Sequence, residues 1–176
     1  MIQLHDKHFV PFISAQDIDA VLERMANEAE ADLDGEVPVF IGVLNGAFMA
    51  VAGFVKHYTK PCEVSFVKLA SYEGTNTTGN VKQLIGLSQN LEGRTVVVIE
   101  DIVDTGNTVA ELKKIFEAKN VKQLKIATLF FKPEAYTKNI PLDYIGFEIP
   151  NKFIVGYGLD YNGLGRNLPE VYQLHS

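Results

Sequence analysis

Five consecutive β-branched residues, Thr95-Val96-Val97-Val98-Ile99, run into two acids, Glu100-Asp101, and then a polar turn at Asp104 to Thr108. Branching at Cβ suits a pleated surface better than a helix. A run without polar alternation is covered on both faces, which is the pattern of a buried parallel strand. After the turn, Val109, Leu112, Ile115 and Phe116 fall on one helical face, and Leu124 to Phe131 reads as the next strand. Strand, helix and strand at this spacing form a βαβ crossover, right-handed in nearly all cases. The expected fold class is therefore α/β with a parallel sheet, whose ligands bind at the carboxyl ends of the strands.

The rest of the chain fits that frame. Ser14 followed by Asp17 predicts a helix start, and Ile18, Val21, Leu22, Met25 and Ala29 give it one apolar face before Gly35 and Pro38 close it. Val39 to Leu44 is a continuous apolar run, hence a second covered strand. A helix is expected from about Ala47 to Tyr58, a strand over Cys62 to Ala70, and further strands near Asp143 to Gly146 and Phe153 to Tyr157. The segment 71–80, Ser-Tyr-Glu-Gly-Thr-Asn-Thr-Thr-Gly-Asn, has no periodicity. A polar loop of that length in a small domain is expected to act as a lid or binding segment.

The 176 residues suffice for one domain. With 16 basic and 22 acidic residues the formal charge is −6, so nothing draws the chain to nucleic acid or anionic lipid in general. A polyanionic ligand must be held locally, by backbone amides, a few cations or a metal. Cys62 is the single cysteine, which excludes an intramolecular disulfide and a cysteine metal cluster. The first residues show no signal peptide, and no apolar run approaches the ~20 residues that span a bilayer. The expectation is a soluble, cytoplasmic protein with no nucleic-acid or membrane partner.

The chemistry concentrates at residues 100–108. Adjacent acids at a strand end repel one another and lose hydration, so a purely structural role for both is hard to supply. Glu100 and Asp101 can instead accept hydrogen bonds from sugar hydroxyls. The turn after them presents backbone amides at a helix N-terminus, an anion site that needs no lysine. Thr105 and Thr108 add hydroxyls, and Gly106 allows close backbone approach. A phosphate at the amides and a diol at the acids describe a ribose 5-phosphate. Neither the P-loop pattern nor a complete dinucleotide fingerprint occurs; Gly156-Tyr157-Gly158-Leu159-Asp160-Tyr161 ends on Tyr161 where a glycine is required.

The run Val96 to Thr108 resembles the 5-phosphoribosyl-1-pyrophosphate (PRPP) motif of type I phosphoribosyltransferases. Four further stretches resemble the hypoxanthine-guanine branch of that family, in the same order. They are Leu44-Asn45-Gly46-Ala47, Ser71-Tyr72, Phe130-Phe131-Lys132-Pro133, and Gly146 to Pro150 continuing to Gly156 to Asn162 and Arg166. The resemblance implies a twisted, mainly parallel sheet flanked by helices, with a small hood and a flexible lid loop. It implies a core at about 36–145 and a hood built from the N-terminal segment and about 146–176.

It also implies roles. Glu100 and Asp101 would hold the ribose hydroxyls; Asp104 would be the general base at purine N7; Asp104, Thr105, Gly106, Asn107 and Thr108 would bind the 5-phosphate. Leu44, Asn45, Gly46 and Arg166 would grip pyrophosphate, with a non-proline cis peptide in that turn. Lys132 would donate to an oxygen at purine C6, Phe153 would stack on the base, and Ile154 and Asp160 would read its far edge. Asp160 would bind magnesium through water, and Glu100 and Asp101 could join it in the same way; Ser71 and Tyr72 would open the lid. Asn45 and Asn107 stand where some relatives carry a basic residue.

The implied reaction takes PRPP and hypoxanthine or guanine to the nucleoside monophosphate and pyrophosphate, in a homodimer or homotetramer. A xanthine-preferring enzyme is one alternative. An RNA-binding regulator on the same fold is another, and the negative charge, the lack of a basic cluster and Lys132 with Phe153 stand against it.

Overall fold

The computed structural model describes residues 1–70 and 82–175. The lid expectation, with Ser71 and Tyr72, lies outside these residues. Strands β1 (Ile2–Leu4) and β2 (Lys7–Ile13) precede helix α1 (Ala15–Asp32), strand β3 (Val39–Val43), helix α2 (Phe48–His57), and strands β4 (Glu63–Ala70), β5 (Lys82–Ile85) and β6 (Thr95–Val103). Helix α3 (Asn107–Glu117) follows, then strands β7 (Gln123–Phe131), β8 (Tyr144–Glu148), β9 (Ile154–Val155) and β10 (Val171–Leu174).

The β-branched run lies at the centre of the larger sheet, whose order is β5-β4-β3-β6-β7-β8. Five of these strands are parallel, and β5 pairs antiparallel on β4 at one edge. Alternation along β6 sends its side chains into two cores. Val97 and Ile99 pack with Phe40, Phe54 and Leu22 under α1 and α2. Val96 and Val98 pack with Ile41, Leu112 and Phe116 under α3. Ser14 caps α1 as expected: its hydroxyl accepts from the Asp17 N–H at 3.1 Å.

The strand order reverses between β3 and β6. From β3 the chain crosses through α2 to β4 on one side; from β6 it crosses through α3 to β7 on the other. A crevice opens outside the carboxyl ends at such a point. It brings the turn after β3, residues 44–47, beside the end of β6 and the start of α3.

Two expectations need correction. The strand read as ending at Ile99 continues to Val103, so Glu100 and Asp101 lie within it; pairing to β7 carries it past the acids, with Ile102 opposite Phe130. The strand expected over 153–157 is much shorter. It gives only Ile154–Val155, which pairs antiparallel with β10 in a second sheet of order β1-β2-β10-β9. Positive φ at Gly156, Tyr157 and Gly158 turns the chain away after two residues. No helix among the described residues is long and apolar enough to cross a membrane.

Candidate active site

The crevice is a cavity of about 550 Å³ lined by Leu44 and Gly46 after β3, by Glu100, Asp101 and Ile102 of β6, by Asn107, Thr108 and Glu111 of α3, and by Asp160 and Arg166. A smaller recess of about 100 Å³ adjoins it, formed by Glu100 and residues 102–109. A depression of similar size on the small sheet, at Met1, Asp6, Lys7, His8, Leu174 and His175, holds none of the residues singled out above.

Glu100 is 4% exposed, and its Oε1 has no hydrogen-bond partner. Burial, reinforced by the charge of Asp101, holds its carboxyl well above the usual carboxylate range. Asp101 remains open to the cavity on one side yet lies deep in the fold. Desolvation raises its pKa to about 6, against opposing contributions from backbone N–H groups and Arg166. One of those N–H groups, that of Ile102, donates to Oδ1 at 2.8 Å. Gly46 is required here, because a Cβ at that position would occupy the space of the Asp101 carboxylate.

The turn behind β6 has the geometry of an anion cradle. Gly106 precedes α3 with φ +85°, and no side chain caps the helix. The first amides of α3 are thus left for a ligand. The Thr105 hydroxyl sits 3.5 Å from the Asn107 N–H, at the limit of a hydrogen bond. Asp104 faces Lys132, with Nζ 3.3 Å from Oδ2; Lys132 is 7% exposed, and its own N–H donates to Val103 O at 3.0 Å. The Leu44–Asn45 peptide is cis, as the resemblance implied. Asn45 is exposed and does not line the cavity.

Asp160 and Arg166 face each other at 2.7 Å. Arg166 also donates to Gly158 O at 2.6 Å, and the second Asp160 oxygen accepts the Gly163 N–H at 2.7 Å. Gly158 packs on the Gly46 carbonyl with no room for a Cβ, so this loop leans directly on the turn after β3.

Leu44, Gly46, Glu100, Asp101, Asn107, Thr108, Asp160 and Arg166 are therefore brought together. Asp104, Thr105 and Gly106 lie in the adjoining recess. Phe153 and Ile154 are not part of either cavity. Phe153 is 45% exposed beside Phe9 and Tyr161, and Ile154 is buried in β9. Glu111 was not singled out, although its position four residues after Asn107 puts it on the same helical face. The neighbours of Gly106, Tyr136 and Lys138, come from the β7–β8 connection, and no local spacing announces them.

Comparison with known proteins agrees with this architecture. A family model described as phosphoribosyl transferase domain matches residues 14–162. A hypoxanthine-guanine phosphoribosyltransferase of Streptococcus agalactiae is 42% identical over 159 residues, 90% of this chain and 88% of that protein. One from Streptococcus thermophilus is 41% identical over the same shares. The crystal structure of a hypoxanthine-guanine phosphoribosyltransferase from Bacillus anthracis superposes with a TM-score of 0.89 at 37% identity, covering 94% of this chain and 98% of that one. The chain belongs to the phosphoribosyltransferase family, among the hypoxanthine-guanine phosphoribosyltransferases.

Proposed function

We propose that this enzyme transfers the 5-phosphoribosyl group of PRPP to hypoxanthine and guanine, with magnesium, releasing pyrophosphate and the nucleoside 5-monophosphate. The observation that carries this reading is the joining of a buried and a half-buried acid, Glu100 and Asp101, to an uncapped helix N-terminus in one cavity. Glu100 and Asp101 accept the ribose hydroxyls, which relieves the unpartnered Oε1. The amides and hydroxyls of Asp104 to Thr108 hold the 5-phosphate. The turn at Leu44, Asn45 and Gly46, together with Arg166, holds pyrophosphate.

Magnesium fits this donor set. It is commonly held by one or two carboxylates, water and substrate oxygens rather than by an all-protein cage. No cluster of three or more candidate ligands stands among the described residues. Both oxygens of Asp160 are engaged, by Arg166 and the Gly163 N–H, which favours contact through water. Glu100 and Asp101 are reachable in the same way. When bound, the ion neutralises charge on the departing pyrophosphate.

As pyrophosphate leaves, the ribose C1 gains cationic character that the neighbouring carboxylates favour. Asp104 receives the N7 proton while N9 attacks. Lys132 donates to the purine 6-oxygen. Phe153 stacks on the base, and the backbone of Ile154 and Asp160 reads its far edge, which asks the small sheet to close toward Lys132. The enzyme acts as a homodimer or homotetramer.

Adenine offers an amino group where Lys132 needs an acceptor, so a donor of this buried ammonium goes unmet beyond its contact with Asp104. Lys132→Ala is expected to lower kcat/KM for hypoxanthine by about a hundredfold while adenine use changes little. Unchanged purine kinetics would remove this role. The reaction itself is tested by following pyrophosphate release with PRPP, magnesium and each purine in turn. Release with hypoxanthine and guanine, and little with adenine, is expected; no base-dependent release would refute the reading.

A further inference from the structure

The turn that holds the 5-phosphate is short of positive charge. Residues Asp104-Thr105-Gly106-Asn107-Thr108 include an acid and no lysine or arginine. Glu100 lines the same recess, so a phosphomonoester dianion enters among carboxyl groups. Backbone amides and a helix dipole offset only part of that cost. Lys132 does not supply the rest, since it faces Asp104.

A second cation stands at this turn. The Cγ of Lys138 would be 2.8 Å from a Cβ placed on Gly106, and the ring of Tyr136 fills the rest of that space. The intervening Thr137 fixes the segment to the turn: its N–H and its hydroxyl both donate to Thr105 O, each at 3.2 Å. Three consecutive residues of the β7–β8 connection thus pack against the phosphate turn. From Cγ, a lysine side chain carries its ammonium three bonds further, enough to reach across a single glycine. Lys113, Lys114 and Lys132 are each paired with an acid, whereas Lys138 makes no ion pair among the described residues.

We propose that Lys138 is a phosphate-binding residue, which brings to the 5-phosphate the charge that the 104–108 turn lacks. The proposal rests on the function given above and adds a contact from a different part of the chain. Its ammonium pairs with the phosphate of PRPP and of the nucleotide product, and touches neither the purine nor the pyrophosphate.

The test compares wild type, Lys138→Gln and Lys138→Arg. Each is assayed for the KM of PRPP, the KM of hypoxanthine at saturating PRPP, and calorimetric binding of inosine 5-monophosphate. Lys138→Gln is expected to weaken nucleotide binding and raise the PRPP KM about tenfold, as loss of one charge-assisted contact does. The hypoxanthine KM should stay within about twofold, because the base is bound elsewhere. Arginine should restore most of the affinity, and the glutamine variant should lose less affinity than wild type between 50 and 200 mM salt.

Nucleotide affinity unchanged in Lys138→Gln would overturn the proposal. So would an equal loss in Lys138→Arg, or an equal rise in the hypoxanthine KM, since either marks a structural effect. A wild type that neither binds the nucleotide nor releases pyrophosphate would instead sink the proposed function, and the Lys138 role with it.

Discussion

Asp104→Asn is expected to lower turnover by about 10²–10⁴-fold, the usual worth of a positioned general base, while PRPP and nucleotide affinities stay within about threefold. Asp104 and Lys132 are in contact at 3.3 Å. In a 6-oxopurine, N7 and the 6-oxygen are neighbours on one edge, so a proton acceptor beside an ammonium donor matches that edge. Asparagine keeps the size of the side chain and an oxygen for the Lys132 ammonium, so the buried lysine is not stranded. It cannot take the N7 proton. The expected signature is thus a loss in kcat with binding retained, read from steady-state kinetics and calorimetry. Turnover within threefold of wild type would remove the base assignment.

Asp101→Asn is expected to make the free protein more stable and the enzyme poorer. The carboxyl of Asp101 is raised from 3.8 to about 6, chiefly by burial, so the folded state holds its proton more tightly than the unfolded chain. Between these values the folded state binds more protons, and stability falls as pH rises. The destabilisation is absent below about pH 4 and complete above about pH 6. The full shift corresponds to about 3 kcal/mol, and the side of Asp101 open to the cavity brings the expectation nearer about 2 kcal/mol. Asparagine carries no such charge, so its gain appears above pH 6 and vanishes in acid. Urea unfolding at pH 4 and pH 8 reads it directly, and equal stability of the two proteins at both values would contradict the account. On the proposed role of Asp101 as a charged acceptor for a ribose hydroxyl, the same variant should bind PRPP at least tenfold more weakly. A residue that costs stability and carries binding is what a ligand site built into a strand implies.

The parts of this molecule legible in the sequence are those where one local signal suffices. The β-branched run and the spacing of Val109, Leu112 and Phe116 reveal the central βαβ unit, because burial on both faces and helical periodicity leave direct marks. Ser14 and Asp17 mark the start of α1 for an equally local reason. The small sheet left little trace. Lys7–Ile13 contains Pro11, which sits opposite Tyr172 at a register shift, and β9 is two residues long. Its existence depends on pairing between the two ends of the chain, which no window of sequence displays.

The site divides in the same way. Glu100, Asp101 and the turn to Thr108 lie within nine residues and could be read together. That Arg166 would be tied to Asp160 and Gly158, or that Lys138 would lie on Gly106, follows only from how distant loops meet. In the sequence the end of β6 looks like Ile99, because the charges of Glu100 and Asp101 resemble a strand terminus. Here the acids stay in the strand and bear the cost of burial, which is the source of their raised pKa values.

All of the chemistry assigned here depends on a sugar phosphate sitting at the carboxyl end of β6. The most direct measurement is a crystal structure of the complex with inosine 5-monophosphate. The account requires the phosphate on the amides at the start of α3, the ribose hydroxyls against Glu100 and Asp101, and the purine edge between Asp104 and Lys132. A nucleotide bound at full occupancy in any other place, with this cavity left to solvent, would contradict it.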